Sequence, residues 1–305
     1  MHIEVSLWNK CNNNCQMCTN PDDFRNDKDY NFDLIKNYLN KKVNEKNRKN
    51  IKEIYLTGGE PTIHPNFFKI LDYLKNKFPF ARFNILSNGR LFFYPEFVKK
   101  CIAIGQVNFI IPIHGHDKKT HDMVTRINGS FIQTIQGVKN IFDLRKTGQE
   151  VEIRVIITKL TYEELDKILK FLLKEMPLID RVILIFMEYE GQAIKNQKQI
   201  GIRYKEFKPK FKELNKYINK FKEIRFYHFP LCVIPKEFWP YAWRTLREDE
   251  VTFLKKCESC QLKNNCLGIH KNYLKLFKEK EFKPIARNYR FKFDDNYYHP
   301  ISSIE

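Results

Sequence analysis

The chain has 305 residues, 43% of them hydrophobic and 26 of them Phe, which is ample material for one large α/β domain or one such domain with a smaller appendage. The opening residues MHIEVSLWNK lack a basic segment followed by an apolar stretch, and no run approaches ~18 apolar residues, so neither a secretory signal nor a membrane span is expected and the cytoplasm is the expected compartment. A formal charge of +18 favours acidic partners, nucleic acid among them, although lysines spread along the whole chain are equally the mark of a solvated surface.

In chain order, short runs rich in Ile, Val and Phe predict strands at 2–8, 52–57, 82–87, 107–113, 151–158 and 181–187. Amphipathic helices are predicted between them, at roughly 32–48, 65–77, 95–104, 130–147 and 161–175. Repeated strand–loop–helix units imply a parallel sheet with its working groups on the loops at the strands' carboxyl ends. Six such units, where a closed barrel has eight, predict an open, partial barrel. Past residue 200 the rhythm fades into one Lys-rich helix over 204–222, a β-like stretch at 223–229 and an irregular region carrying Cys and Trp. A boundary is therefore expected near 200, giving domains at 1–200 and 201–305.

Seven of the eight cysteines fall into two groups. Cys11, Cys15 and Cys18 form C-x3-C-x2-C directly after the first strand. Three thiolates can hold three irons of a cubane cluster and leave the fourth open to a ligand; a zinc site lacking its fourth ligand is the competing reading. Cys257, Cys260 and Cys266 form C-x2-C-x5-C, and with Cys232 upstream they supply four thiolates for a closed second site, an auxiliary iron–sulfur cluster or a structural zinc. Cys101 occupies an apolar helical position and is expected to be a packing thiol.

The cysteine loop after strand one, followed in order by TGGEPT (57–62) and SNGR (87–90), resembles the signature of the radical S-adenosylmethionine (SAM) superfamily. That resemblance implies a partial (β/α)6 radical SAM barrel in which Cys11, Cys15 and Cys18 carry a [4Fe–4S] cluster that binds SAM. It further implies that Gly58, Gly59 and Glu60 contact the amino group of SAM and that Ser87 and Asn88 contact its ribose or carboxylate. Asn88-Gly89 also reads as a simple turn. Arg154, inside an apolar strand, needs a partner, either the SAM carboxylate or an internal acid. Glu188 and Glu190 fall at the expected rim of the site. The run IPIHGHDKKTHDMVTRINGSF (111–131) is similar to the "D-G … H-D … R … G-S-F" element of peptide-modifying members, with His114 and Gly115 in the D-G place, His121 and Asp122 as the H-D pair, and Arg126 as the Arg.

The tail resembles the SPASM/twitch extension, a small C-terminal auxiliary-cluster domain, except that His270 stands where a further cysteine is usual, which limits the tail to one auxiliary [4Fe–4S] cluster. LCVIPKEFWPYAW (231–243) with the cysteines after it is similar to the radical SAM maturases of the His-Xaa-Ser peptide system. Together these imply an enzyme that cleaves SAM reductively to a 5′-deoxyadenosyl radical and modifies a residue of a ribosomally made peptide or protein, drawing electrons from a flavodoxin or ferredoxin. RNA modification is the alternative that the positive charge favours, and a non-catalytic scaffold is a third.

Overall fold

β-Branched and aromatic residues that alternate over five or six positions form strands here wherever a glycine- or polar-rich turn follows them. The computed structural model describes residues 2–20, 31–43, 48–286, 289, 291–293 and 296–304. It places strands β1 (His2–Ser6), β2 (Glu53–Thr57), β3 (Arg82–Leu86), β4 (Val107–Pro112), β5 (Val151–Ile157), β6 (Arg181–Phe186), β7 (Ile224–Tyr227) and β8 (Ala242–Trp243) in one sheet, in chain order. β1 to β5 pair in parallel, each with the next, and so do β6, β7 and β8. The registers, such as Val5 opposite Leu56, keep buried side chains in layers.

The first six strands coincide with the six expected, and the sheet then continues past residue 200. The stretch at 223–229 is no isolated β-like piece: Ile224, Phe226 and the residues between them pair with β6. The chain divides into two compact units, Met1–Cys15 with Asn20–Arg154 and Lys174–Asp180, and Gln16–Thr19 with Val155–Leu173 and Arg181–Glu305. β5 contributes its first half to one unit and its second half to the other.

In the first unit the helices α1 (Phe32–Lys42), α2 (Phe67–Lys77), α3 (Pro95–Ile102), α4 (Lys118–Thr125) and α5 (Ser130–Leu144) accompany the strands. Residues 44–47 of the expected first helix lie outside the described residues. Asn31 caps α1 by accepting from the Leu34 N–H at 2.9 Å, and Pro95 starts α3 at a position where its missing N–H costs nothing. Cys101 is fully buried on α3, and burial raises its thiol pKa, so it packs as a small apolar residue. Helix α4 was not expected from sequence. Its lysines and histidine break the apolar period, but Asp117 caps it through the Thr120 N–H at 2.8 Å.

In the second unit, α6 (Leu165–Glu175) starts four residues later than expected, because Thr161 turns back to donate its hydroxyl to the Ile156 carbonyl at 2.7 Å. The Lys-rich segment is not one helix. It breaks into helices Tyr204–Phe207 and Lys210–Leu214 and a 3₁₀ turn at Asn215–Tyr217, because Pro209 has no N–H to continue the ladder. Its buried side, Tyr204, Phe207, Phe211, Leu214 and Tyr217, still joins an aromatic core with Phe186, Phe226 and Phe229, and its lysines face solvent. Two short antiparallel pairs complete the tail: β9 (Val251–Thr252) with β10 (Ile269–His270), and β11 (Phe291–Phe293) with β12 (Ile301–Ile304). Among the described residues no helix is long and apolar enough to cross a membrane.

Candidate active site

Strand pairing between β1 and β2 runs one residue past β1, with the Leu7 N–H donating to the Thr57 carbonyl at 2.9 Å. The two chains then stay in contact: the Gly59 N–H donates to the Trp8 carbonyl and the Glu60 N–H to the Lys10 carbonyl, both at 2.8 Å. The Gly-Gly-Glu turn is thus laid directly on the segment that leads into Cys11. A Cβ on Gly58, whose φ is +134°, would lie 2.4 Å from the Trp8 oxygen, and one on Gly59 would lie 2.3 Å from the Lys10 oxygen. Both glycines are therefore required by an approach of backbone to backbone, before any ligand is considered.

Glu60 is 1% exposed. Its Oε1 accepts from the Thr62 N–H (3.1 Å), the Thr62 hydroxyl (2.5 Å) and the Ser87 hydroxyl (2.7 Å), and its Oε2 accepts from the Asn88 N–H (2.6 Å). Burial pushes its pKa up, and these donors, which favour the carboxylate, pull against that without cancelling it. Glu60, Ser87 and Asn88, which lie on two separate loops in sequence, are one hydrogen-bonded knot.

The knot extends to the cysteine loop. Asn88 Nδ2 donates to Asn12 Oδ1 at 2.6 Å, and Arg90 Nη1 donates to the Asn12 carbonyl and to Asn13 Oδ1, the latter at 3.0 Å. Gln133 on α5 accepts from Arg90 Nε at 2.7 Å, and the Asn14 N–H donates to the Thr125 carbonyl at 3.0 Å. All three asparagines between Cys11 and Cys15 are thereby fastened. The contacts expected of SNGR fall on Ser87 and Asn88; Arg90, at the end of the same motif, does the fastening, and Gln133 and Thr125 carry no sequence signal of this role.

Cys11, Cys15 and Cys18 are half-buried thiols that form no disulfide. The Asn13 N–H donates to Cys11 Sγ at 3.3 Å. Cys18 belongs to the stretch grouped with the second unit, where its carbonyl accepts from the Gln192 N–H at 2.8 Å. Among the described residues no three His, Cys, Asp or Glu side chains stand in metal-ligand geometry. The fit of a cluster therefore rests on the donors themselves: three soft thiols in a C-x3-C-x2-C run, one of them already taking an N–H···S hydrogen bond.

The histidine-rich run divides by function. His114 and His121 are buried and stacked, ring centroids 5.8 Å apart. The His114 N–H donates to His121 Nδ1 at 3.1 Å, and burial lowers both pKa values, that of His121 to about 4, so the rings are neutral near pH 7. Asp122 turns the other way and accepts from the Gly129 N–H (2.7 Å), the Ser130 hydroxyl (2.8 Å) and the Phe131 N–H (2.8 Å), capping α5 from a distance. Gly115 passes close to Thr120, and Arg126 ends α4 with a left-handed φ of 57°.

Burial pushes the Asp122 pKa up, but the Phe131, Ser130 and Gly129 donors outweigh it and hold the carboxyl below the usual range. Asp122→Ala is expected to cost about 1–2 kcal/mol in urea denaturation near pH 7. Because the folded pKa is depressed, this contribution is present above the unfolded carboxyl range near ~3.9 and is lost as pH falls through the folded value. Wild type and variant should therefore converge in stability in acid, and a gap independent of pH would contradict the cap.

Arg154 is paired within its own strand: its Nε donates to Glu152 Oε1 at 2.7 Å, the two side chains sharing one face of β5. The internal acid is thus the partner that the structure shows.

In the second unit, Cys232, Cys257, Cys260 and Cys266 line one cavity. The Gly268 N–H donates to Cys266 Sγ and the Ile285 N–H to Cys260 Sγ, each at 3.4 Å. Burial, then the neighbouring Cys266, pushes the Cys232 pKa up to about 12, and burial raises Cys266 as well. Thiols that hinder one another's ionisation suit a bound cation, which reverses that electrostatic preference. His270 does not line the cavity; its Nε2 lies 3.3 Å from Glu190. The donor set is therefore sulfur only. In the preceding segment Trp239 is buried, its Nε1 donating to the Leu231 carbonyl at 2.9 Å, which is a packing role.

The model of the radical SAM superfamily matches residues 5–172, more than half of the chain, and the chain belongs to that superfamily of enzymes. It is 32% identical over 114 residues to the AdoMet-dependent heme synthase of Methanosarcina barkeri, covering 37% of this chain and 31% of that protein. It is 27% identical over 125 residues to the mycofactocin maturase MftC of Mycobacterium tuberculosis, covering 41% of this chain and 30% of that protein. The matches thus span about a third of the length of these relatives. Among solved structures, that of Streptococcus suis SuiB bound to its precursor peptide SuiA is similar with a TM-score of 0.56 at 15% identity, covering 73% of this chain and 48% of SuiB. That likeness and the family match establish the radical SAM barrel as the fold.

Proposed function

We propose that this chain is a radical SAM maturase that cleaves SAM reductively and modifies a residue of a ribosomally made peptide or protein. The observation that carries the reading is the pair of cysteine sets in one chain: a fastened C-x3-C-x2-C loop and four tail cysteines around one cavity. MftC, a maturase by name, and SuiB, solved with a precursor peptide, lend it support.

In this reading Cys11, Cys15 and Cys18 hold the SAM-binding [4Fe–4S] cluster, and Cys232, Cys257, Cys260 and Cys266 hold an auxiliary [4Fe–4S] cluster. When bound, the first cluster supplies the electron that cleaves SAM to methionine and a 5′-deoxyadenosyl radical. The chain's own residues keep the site in shape for this. Arg90 and Asn88 hold the loop, Glu60 joins the Gly-Gly-Glu turn to Ser87 and Asn88, and Gly58, Gly59, Glu60, Ser87 and Asn88 would contact SAM. The electron donor is a small redox protein of the flavodoxin or ferredoxin class.

The protein reconstituted without oxygen is expected to bind about eight irons, and about four after Cys266→Ala. With reductant and SAM it should yield 5′-deoxyadenosine by liquid chromatography and mass spectrometry. A well-loaded protein that forms none would overturn the assignment. Tightly co-purifying RNA with steep salt dependence would turn the substrate class towards RNA.

A further inference from the structure

We infer that Glu188 and Glu190, each with a buried imidazole behind it, form a recognition site for a cationic group of the substrate, an ammonium or a guanidinium. The inference deepens the maturase reading and rests on it. β6 ends at Phe186, and four residues on, at Glu190, the backbone is extended, with φ and ψ of −136° and 162°. Between the two acids, Tyr189 is fully buried, its hydroxyl donating to the Ile202 carbonyl at 2.6 Å and accepting from the Ile202 N–H at 2.9 Å. The glutamates on either side of it are not buried with it. They remain partly open, with side-chain exposures of 24% and 35%.

Each acid meets a histidine. Glu188 Oε1 lies 3.3 Å from His228 Nδ1, and the same nitrogen lies 3.1 Å from the Phe186 carbonyl. His228 follows β7 with a left-handed φ of 69°, a conformation that strains a non-glycine residue and is kept where the surroundings impose it. Glu190 stands at the N-cap of the short helix Gly191–Lys195 without capping it; its Oε1 lies 3.3 Å from His270 Nε2. His270 is 5% exposed, and neither ring nitrogen has a hydrogen-bond partner among the described residues. A buried imidazole turned to a carboxylate without a formed hydrogen bond is a polar group whose partner set a ligand can complete.

The place and the charge agree. The carboxyl ends of β6 and β7 are where parallel sheets bind ligands. Two carboxylates offer only acceptors, and a cation bound between such groups makes short, charge-assisted hydrogen bonds. On a chain of net charge +18, a cation needs a local acidic site to be held at all. Arg247 feels the Glu190 charge, but its guanidinium is engaged by Asp249 at 3.1 Å and Glu250 at 2.8 Å.

The test uses Nα-acetyl-lysine amide and Nα-acetyl-arginine amide, with uncharged Nα-acetyl-norleucine amide as the comparison, in calorimetric titration of the reconstituted holoenzyme with SAM and no reductant. The cationic probes should bind at least about tenfold tighter than norleucine amide. Glu188→Gln and Glu190→Gln should each remove most of that preference, and Glu190→Asp should keep part of it. Equal binding of the lysine and norleucine probes overturns the inference, and so does an unchanged preference in both folded Gln variants. The comparison on the wild-type protein decides the matter even where a variant does not fold. Because no reductant is present, this outcome is separate from 5′-deoxyadenosine formation, on which the maturase reading stands or falls.

Discussion

Cys15→Ala is expected to bring 5′-deoxyadenosine formation down to the no-enzyme background, a loss of more than about 100-fold, and to leave the melting temperature of the iron-free protein unchanged within about 2 °C. Even outer partners of a metal ligand cost 10- to 100-fold on removal, and a direct ligand costs more. The stability half follows from how the loop is held. Its course is set by Asn12, Asn13 and Asn14, which are tied to Asn88, Arg90 and Thr125. Cys15 is half-buried, so shortening it leaves little void. Iron content, product yield and a melt of the iron-free chain check the three parts. Product at the wild-type level would remove Cys15 from the cluster. A large fall in melting temperature would mean that the thiol holds the fold, in which case lost activity would say nothing about iron.

The strands of the barrel were legible because each is a short Ile-, Val- or Phe-rich run, and for such runs local preference and burial agree. The two strands beyond residue 200 were not placed in the sheet, for a physical reason. β7 is flanked by broken helical pieces that hide the strand–helix rhythm, and β8 has two residues, too few to show any period. The Lys-rich segment carried a true helical period in its buried face, yet Pro209 decides the backbone locally, and periodicity is blind to one missing N–H.

The site was legible where its residues are chemically distinctive. Cysteines spaced for a cluster and a Gly-Gly-Glu turn stand out; a hydrogen-bond knot does not. Glu60, Ser87 and Asn88 read as three separate cofactor contacts, and only the fold shows that they bond to one another before they bond to anything else. Arg90 escaped because an arginine after Asn-Gly looks like the end of a turn, and its partners Asn12, Asn13 and Gln133 are distant in sequence. His270 is a different case. The sequence marked it as a departure from a cysteine, and its meaning appears only with its position outside the cavity and beside Glu190.

Gly59→Ala should show how far the cluster loop depends on the turn that lies against it. A Cβ at residue 59 would meet the Lys10 oxygen at 2.3 Å, the Asn9 oxygen at 2.6 Å and the Lys10 carbonyl carbon at 2.7 Å. All three are backbone atoms, so no side chain can turn aside, and the segment into Cys11 has to move. That movement breaks the hydrogen bonds from Gly59 to Trp8 and from Glu60 to Lys10, and it pulls on the carboxylate that binds Ser87 and Asn88. A loss of about 3 kcal/mol or more is expected, a fall in melting temperature on the order of 6–12 °C, together with poor retention of iron on desalting. Gly59 does not have a positive φ, so this penalty is one of contact alone. Gly105 supplies the opposite case: its φ is +109°, and a Cβ there meets nothing within 4 Å. Gly105→Ala should cost only the strain of a left-handed alanine, about 1–2 kcal/mol, and keep its iron. If the two variants lost iron alike, general loosening of the fold would be the cause; iron lost from the Gly59 variant alone ties the cluster loop to the backbone laid across it.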